Sequence, residues 1–568
     1  MEIIMASEIN FMVVGEAGQG VQSVGFLLSK ALTRWGYHIF ADQDYESRVR
    51  GGHNFFRIRA SDSPVEAIDE KVDILIALNK ESVDLHLREI RDGGIIIYDG
   101  EKSGRIEGNN LINVPVEKLA KEAAGDVLMT NTVALGAALG IVDYDFTLLT
   151  ELFTGFFKGE TADKNVKAAG VGYQYVRKLY SNIYLEKLTR ASETRRMLVS
   201  GNDALSIGAI AAGCKFISAY PMTPVTSIME YFAAKSEEFG LVVVPAEDEI
   251  AAINMAIGAA YTGIRAMTAT SGGGFCLMVE GVGLAGMTET PIVIVEGQRP
   301  GPAIGLPTRT EQGDLEFILH ASHGEFPRVV FAPGNADDCF WLTIRAFNLA
   351  EKYQLPVFII TDHYLANSYF TTDKFDLNKV IIDRGLLFTK NQTEGEYKRH
   401  AFTASGISPR AFPGNKDALV VTDSDEHDEA GHLIEDAETR IKMMDKRLRK
   451  MNGLKEEIIP PRYYGPEKAE TLLIGWGSTC GVIKESVDIL NRNGGSHSHL
   501  HLNQIWPFPV DAVSAAIRNT RDCYVIENNA TGQLAGVIRR ETGLLTGNIL
   551  KYDGRPFTPD YILRQLRK

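Results

Sequence analysis

Short apolar runs bounded by turn residues alternate with longer helical stretches along almost the whole chain, which restricts it to an α/β architecture with mostly parallel sheets. The reason is geometric. Parallel strands need crossovers, the crossover helices cover the sheet, and a strand buried on both faces reads as a continuous apolar run. In the N-terminal part strands are expected at Ile9–Val14, Ile74–Leu78 and Ile95–Tyr98, with a helix from the Gly-rich turn at Gly15–Gly20 through Trp35. A second unit begins near Leu198. Its expected strands are Phe216–Ala219, Leu241–Val244, Arg265–Ala269, Ile292–Val295, Val329–Phe331 and Val357–Thr361, and its helices Ser227–Glu237, Glu249–Tyr261 and Asp337–Lys352. A last unit carries strands Thr471–Ile474, Leu500–Leu502 and Cys523–Glu527. Residues 371–465 break the rhythm: eight acidic residues and no Lys or Arg lie between Asp423 and Glu438, then six basic residues fall within Arg440–Lys450. This reads as a charged connector ending in an exposed helix and closed by Pro460-Pro461.

At 568 residues the chain has room for three or four domains. Its net charge of −14 argues against nucleic-acid or anionic-membrane partners, both of which call for concentrated basic surface. The start has no basic segment followed by an apolar core, and the most membrane-like stretch, Val127–Val142, is too short to span and is interrupted by Thr130, Asn131 and Thr132. The five cysteines, at 214, 276, 339, 480 and 523, form no CxxC pair, so no zinc clip, iron–sulfur site or other metal site is expected in this chain. An odd, scattered set also argues against a disulfide framework and fits a reducing cytoplasm. Cys214, Cys276 and Cys339 read as small buried hydrophobes. His497, His499 and His501 alternate on one strand face, which reads as a solvated face rather than a metal set.

Three motifs point to chemistry. Gly15-Glu-Ala-Gly18-Gln-Gly20 sits where a strand meets a helix; it is open to reading as a tight packing turn, as a phosphate or coenzyme-A-type contact, or, with Asp42 or Asp44 further on, as a dinucleotide site. Arg48, Arg50 and His53 add donors nearby, as would a solvated loop. In Tyr220-Pro221-Met222-Thr223-Pro224 the prolines restrict their neighbours and pre-set the Thr223 hydroxyl at the C-terminal end of a strand, where open α/β sheets bind ligands. Ser227 and Glu230 then form a capping-box pattern. Finally, Glu247-Asp248-Glu249 heads a helix whose body is rich in small residues (Ala251, Ala252, Ala256, Gly258, Ala259), which suits close packing at an interface.

The Tyr220–Pro224 turn, the helix Glu249–Gly258, Ser271-Gly-Gly-Gly274 and Gln298-Arg299-Pro300 resemble the pyrimidine-binding domain of the 2-oxoacid:ferredoxin oxidoreductases, which are thiamine-diphosphate enzymes. Gly15–Gly20 is similar to that family's gamma subunit. Gly475-Trp-Gly-Ser478, Pro507-Phe-Pro509 and Glu527–Gln533 are similar to its transketolase-C-like domain. The resemblance covers nearly the whole chain, in the order of a fused gamma–alpha subunit. It departs where relatives have Ile at Met222 and Pro within the loop at Gly273.

The resemblance implies a gamma-type domain at 1–190, a pyrimidine-binding domain at 191–375, the connector at 376–465 and a transketolase-C-like domain at 466–568. It implies that Glu249, with Glu247 as the fallback, bonds N1′ of the aminopyrimidine, favouring the tautomer whose nitrogen takes the thiazolium C2 proton. Tyr220, Pro221, Gly273, Gly18 and Gly20 would be cofactor contacts. Thr223 and Arg299 would bind the oxoacid, and Arg309 the distal carboxylate of a dicarboxylic substrate; a surface ion pair is the plain alternative for each arginine. The implied reaction is oxidative decarboxylation of 2-oxoglutarate with coenzyme A to acyl-CoA, CO2 and reduced ferredoxin. Mg2+ and the [4Fe-4S] cluster would sit on a separate beta subunit, in an (alpha–beta)2 heterotetramer. Neighbouring readings are the same chemistry on pyruvate, branched-chain or aryl 2-oxoacids, a nucleotide-dependent dehydrogenase using Gly15–Gly20, and a non-catalytic scaffold subunit.

Overall fold

The first long apolar run becomes β1 (Glu8–Ala17), an inner strand of an eight-stranded sheet, paired on both edges and buried along most of its length. The computed structural model describes residues 4–5, 7–46, 51–103, 110–181, 183, 186–390 and 395–567. The chain divides into two compact units. The first comprises residues 1–199 with 368–374 and 558–560; the second comprises 200–367, 375–557 and 561–568.

In the first unit β1 is followed by α1 (Val21–Arg34), β2 (His38–Asp44), β3 (Gly51–Ser61), β4 (Val72–Ala77), β5 (Ile90–Tyr98) and β6 (Leu111–Asn113). The order is β6-β5-β4-β1-β3-β2, continued by Tyr369–Thr372 and Met197–Ser200. The β1, β4, β5 and β6 pairings are parallel. By contrast β1, β3 and β2 pair antiparallel, in place of the βα repeat expected there. The cause is visible in β3: Phe56, Ile58 and Ala60 are buried, while Arg57, on the alternate face, reaches Asp42 of β2 with two bonds of 2.9 and 2.6 Å. Asp42 is thus committed to a cross-strand ion pair, which removes one of the two alternative acids of the dinucleotide reading and leaves Asp44. His53 lies in β3 rather than in a loop, its Nε2 2.7 Å from Nε2 of His86; Arg48 and Arg50 lie outside the described residues. The apolar stretch after Val127 forms α2 (Thr130–Ile141), pressed against α3 (Glu160–Leu179). A Cβ at Gly136 would come within 2.0 Å of the Ala169 carbonyl oxygen, so this helix is apolar because it is buried in the unit's core. Among the described residues no helix is long and apolar enough to cross a membrane.

The second unit follows the expected rhythm closely. It contains β7 (Phe216–Ala219), α4 (Thr226–Ala234), β8 (Val242–Pro245), α5 (Glu249–Tyr261), β9 (Ala266–Thr270), α6 (Gly272–Met287), β10 (Ile292–Gln298), α7 (Leu315–Leu319), β11 (Val329–Phe331), α8 (Ala336–Tyr353) and β12 (Pro356–Asp362). Helix α6 stands where a Gly-rich turn is expected. Its glycines lower helix propensity but admit neighbours: a Cβ at Gly281 would meet Ile253 at 2.7 Å, and one at Gly286 would meet Phe326 at 2.6 Å. After α9 (Ala437–Glu456) come β13 (Arg462–Tyr464), β14 (Thr471–Trp476), β15 (His497–Leu502), β16 (Gln504–Trp506), β17 (Asp522–Glu527) and β18 (Gly547–Leu550). Two sheets result, β8-β7-β9-β10-β12-β11-β16 and β13-β15-β14-β17-β18. All pairings in the first are parallel except the last, where β16 lies antiparallel on β11. One apolar core runs from Ile253, Phe275 and Phe358 to Trp476 and Leu502.

Several side chains stand elsewhere than expected. His499 and His501 are buried, not solvated, because β15 is an inner strand between β13 and β14; burial pushes His499 down to about 3 and leaves both rings neutral. Cys214 and Cys339 are buried, but Cys276 is exposed on α6. The basic helix α9 is not an exposed one: Lys446, Arg447 and Lys450 are 0%, 2% and 1% exposed. Arg447 pairs with Glu426, and the partner of the two lysines is Glu289, itself fully buried, which pairs with the ammonium groups of Lys446 and Lys450 and accepts from His400 Nδ1 at 3.0 Å. Burial alone would push the Glu289 carboxyl up; the two lysines more than reverse this and hold it well below the usual carboxylate range. The connector is therefore fastened to the sheet-bearing part of the unit through buried charge.

Candidate functional site

Helix α5 begins with Asp248, whose carboxylate accepts from the Ala251 amide at 2.7 Å and caps the helix. That cap fixes the roles of its neighbours: Glu247 points to solvent, whereas Glu249 is turned inward, 4% exposed, and its Oε1 has no hydrogen-bond partner among the described residues. The first turn of α6 lies directly against this carboxylate. A Cβ on Gly274 would come within 2.4 Å of Glu249 Oε1 and 2.2 Å of Thr270 Oγ1, so only glycine allows the approach. Gly272, one turn edge away, is pressed in the same way on Asp314 Oδ2, at 2.5 Å. Gly273 between them is exposed and has nothing closer than the Ala303 carbonyl oxygen at 3.7 Å. The Ser271–Gly274 run is thus the opening of a helix seated between two carboxylates, not a loose loop.

Thr270 links Glu249 to the proline turn, since its Oγ1 is 3.9 Å from Met222 Sδ. In that turn Tyr220 and Pro221 are exposed and Thr223 is half-buried, its hydroxyl making no hydrogen bond among the described residues. Arg299 Nη1 donates to the Thr223 carbonyl at 3.0 Å, so the two expected substrate residues are brought together. Ser227 does not cap α4; its Oγ accepts from Asn202 Nδ2 at 2.8 Å, and the helix starts one residue earlier.

Two acids not anticipated from the sequence complete this layer. Glu296, level with Thr270 across the β9–β10 pair, is fully buried, with no donor to either oxygen among the described residues. Burial, and then the neighbouring Asp314, push its carboxyl well above the ordinary range, while burial raises Asp314 against the pull of Glu296 and Arg299. A proton shared between the two carboxyls resolves the missing donor. Because the folded pKa is raised, the stability contributed by this pair is complete below the unfolded carboxyl range and is lost as pH rises through the raised value. Wild-type stability is expected to fall on this account by up to about 1.4 kcal/mol per pH unit. Glu296→Gln should flatten that slope; parallel slopes in denaturation series between pH 5 and 8 would remove the shared proton.

Arg299 and Arg309 both act electrostatically on His363, which is 4% exposed; burial first, then these two guanidinium groups, push it down to about 3. The imidazole is therefore neutral, within the electrostatic reach of both cations. The segment carrying Arg309 is held by the C-terminal sheet's loops. Gln312 donates to the Trp476 carbonyl (2.9 Å) and accepts from the Asn528 amide (3.0 Å), Asn529 Nδ2 donates to the Gln312 carbonyl (3.0 Å), and Gln533 Nε2 to that of Gly313 (2.6 Å). Thr310 Oγ1 donates to Asp362 at 3.1 Å.

Gly18 and Gly20 belong to the first unit. Both have positive φ, 92° and 76°, and the turn leads straight into α1, which has no side-chain cap. A Cβ on Gly20 would strike Asn131 at 2.1 Å, whereas Gly18 faces open space. Gly18, Gln19, Tyr98, Asp99 and Asn131 border a cavity of about 170 Å³.

Residues 207–446 match the family described as pyruvate flavodoxin/ferredoxin oxidoreductase, thiamine-diphosphate-binding; residues 10–175 match pyruvate ferredoxin/flavodoxin oxidoreductase, and 469–561 match core domain II of pyruvate:ferredoxin oxidoreductase. The 2-oxoacid:ferredoxin oxidoreductase subunit alpha of a Sulfolobus species is 35% identical, over 99% of this chain and 96% of that protein. The 2-oxoglutarate synthase subunit KorA of Methanothermobacter marburgensis is 32% identical, over 66% of this chain and 99% of its own. The solved 2-oxoglutarate:ferredoxin oxidoreductase from Magnetococcus marinus, with 2-oxoglutarate, coenzyme A and succinyl-CoA bound, superposes with a TM-score of 0.92 at 31% identity, covering 99% of each chain.

Proposed function

The chain belongs to the 2-oxoacid:ferredoxin oxidoreductases as a subunit of the alpha type, and on that premise we propose that its second unit binds the aminopyrimidine of thiamine diphosphate through Glu249 and selects 2-oxoglutarate through Thr223, Arg299 and Arg309. The observation that carries the reading is the Glu249 carboxylate, buried, with one oxygen lacking a hydrogen-bond partner among the described residues and a glycine backbone pressed against it. Such an atom calls for a donor from a ligand. When bound, the cofactor supplies the carbon that attacks the oxo group and stores the electrons of decarboxylation. Glu249 holds the pyrimidine N1′ and keeps its proton in place. Arg299, fixed by the Thr223 carbonyl, presents its remaining fork to the oxoacid carboxylate, with the Thr223 hydroxyl alongside. Arg309 faces the distal carboxylate, and neutral His363, within electrostatic reach of both arginines, adds no charge.

The exposed edge of α5 supports a further chain at this site: Ile250 and Met255 are 50% and 44% exposed beside Gly258, whose missing side chain leaves open space. We assign to that beta chain the diphosphate and Mg2+ half of the cofactor site and the [4Fe-4S] cluster, since this sequence has no clustered cysteines, and to the first unit's Gly18–Gly20 turn the coenzyme A contact. The assembly is then (alpha–beta)2, passing electrons to ferredoxin.

Reconstitution with the beta chain and an assay of oxoacid-dependent reduction of a low-potential dye tests this. Arg299→Met is expected to lower kcat/KM for 2-oxoglutarate about 10–100-fold with thiamine diphosphate still bound. Arg309→Met should narrow the preference for 2-oxoglutarate over pyruvate. Unchanged kinetics in both would move the carboxylate clamp elsewhere.

A further inference from the structure

Between α7 and β11 the chain folds over a cavity of about 370 Å³, walled by Leu319, Pro327, Leu448, Met451 and Trp506. Arg328 lines it. This guanidinium is 7% exposed, stacks on the ring of Phe326 at 4.4 Å from its centroid, and gives one bond from Nη1 to the Ile318 carbonyl at 2.9 Å. No carboxylate pairs with it among the described residues. Burial alone lowers it to about 10, so it stays a cation at neutral pH. Among the other buried guanidinium groups of this unit, Arg265 and Arg410 pair with Glu351 and Arg447 with Glu426, while Arg399, without a carboxylate, gives three hydrogen bonds, to Gln354 Oε1 and the Thr288 and Glu289 carbonyls; Arg328 has one. An uncompensated buried charge is costly, and the oxoacid site makes no use of this one.

The rim adds no spare positive charge. Arg540 and His320 each lie 3.2 Å from Glu316, and Glu325 at the mouth is exposed. A dianion would therefore face one free cation and one acid, whereas a monoanion matches the single fork.

We propose that this cavity binds a small carboxylate with an apolar body, its carboxylate on Arg328 and its body against Leu448, Met451 and Trp506. An arginine that merely caps α7 accounts for the bond to Ile318 but leaves the neighbouring apolar cavity without an occupant, and the two roles separate experimentally. Hexanoate and benzoate, titrated into the purified full-length chain and followed calorimetrically and by ligand-observed NMR, should bind saturably. Arg328→Gln should weaken binding at least tenfold. Met451→Trp, which fills the cavity with Arg328 intact, should abolish it and keeps the test available if Arg328→Gln does not fold. Hexanamide should bind at least tenfold more weakly than hexanoate, and Arg309→Met should leave hexanoate binding unchanged. The proposal is overturned by no saturable binding to the wild type, by equal binding to wild type and Met451→Trp, by equal binding of hexanamide, or by loss of binding in Arg309→Met, which would place the ligand in the oxoacid site.

Discussion

Glu249→Gln in the reconstituted complex is expected to lower kcat for oxoacid-dependent dye reduction by about 10²–10⁴-fold. The substitution keeps size and shape in a pocket too tight for anything larger, because Gly274 already brings its backbone against the carboxylate. What it removes is the anionic acceptor whose free oxygen is buried and unpartnered. A carboxamide there still satisfies a hydrogen bond, so cofactor binding should fall far less than kcat, and equilibrium binding of thiamine diphosphate reads that difference directly. The oxoacid KM should change little, since Arg299 and Thr223 are untouched. Near-wild-type turnover would end the assignment of this helix to the cofactor, and a loss of binding equal to the loss of turnover would make Glu249 an anchor only.

The second large effect concerns stability. Glu289→Gln should cost about 3–5 kcal/mol, because it leaves the ammonium groups of Lys446 and Lys450 buried without their anion. Glu289 has no link to the reaction, so in conditions where the variant remains folded its kcat should stay near wild type. Combining Glu289→Gln with Lys446→Met should cost less than the two singles added, since the second change removes one of the stranded charges. Denaturant unfolding of the four proteins measures both quantities. A cost below about 1 kcal/mol, the range of a surface pair, would mean that α9 detaches and hydrates its lysines.

How far the sequence reveals this depends on whether the determinant is local. Strands such as Phe216–Ala219 and Val329–Phe331 are legible because buried parallel strands write themselves as unbroken apolar runs. The proline turn and the Glu-headed helix are legible for the same reason, being set by residues adjacent in sequence. Helix α6 is obscured because its glycines answer to Ile253 and Phe326, which lie on other elements. The burial of α9 is hidden because a lysine facing Glu289 and a lysine facing water are spelled alike. Glu296, Asp314 and His363 escape notice singly; only the fold sets them around Arg299. A carboxylate closing a buried strand, as Glu296 nearly does in Ile292–Gln298, is the one signal that was there to read.

The antiparallel strand at the end of the seven-stranded sheet bears on how the protein is made. The edge of β11 stays unpaired until Gln504–Trp506 has been synthesised and has left the ribosome, long after the other six strands have emerged. The loops that grip Gln312 arrive later still, from Asn528 onward. The segment carrying Arg309 thus acquires its clamp only after residues 528–533 have been made, so a stretch more than two hundred residues downstream, rather than the part carrying Glu249, decides when that segment is fixed in a nascent chain.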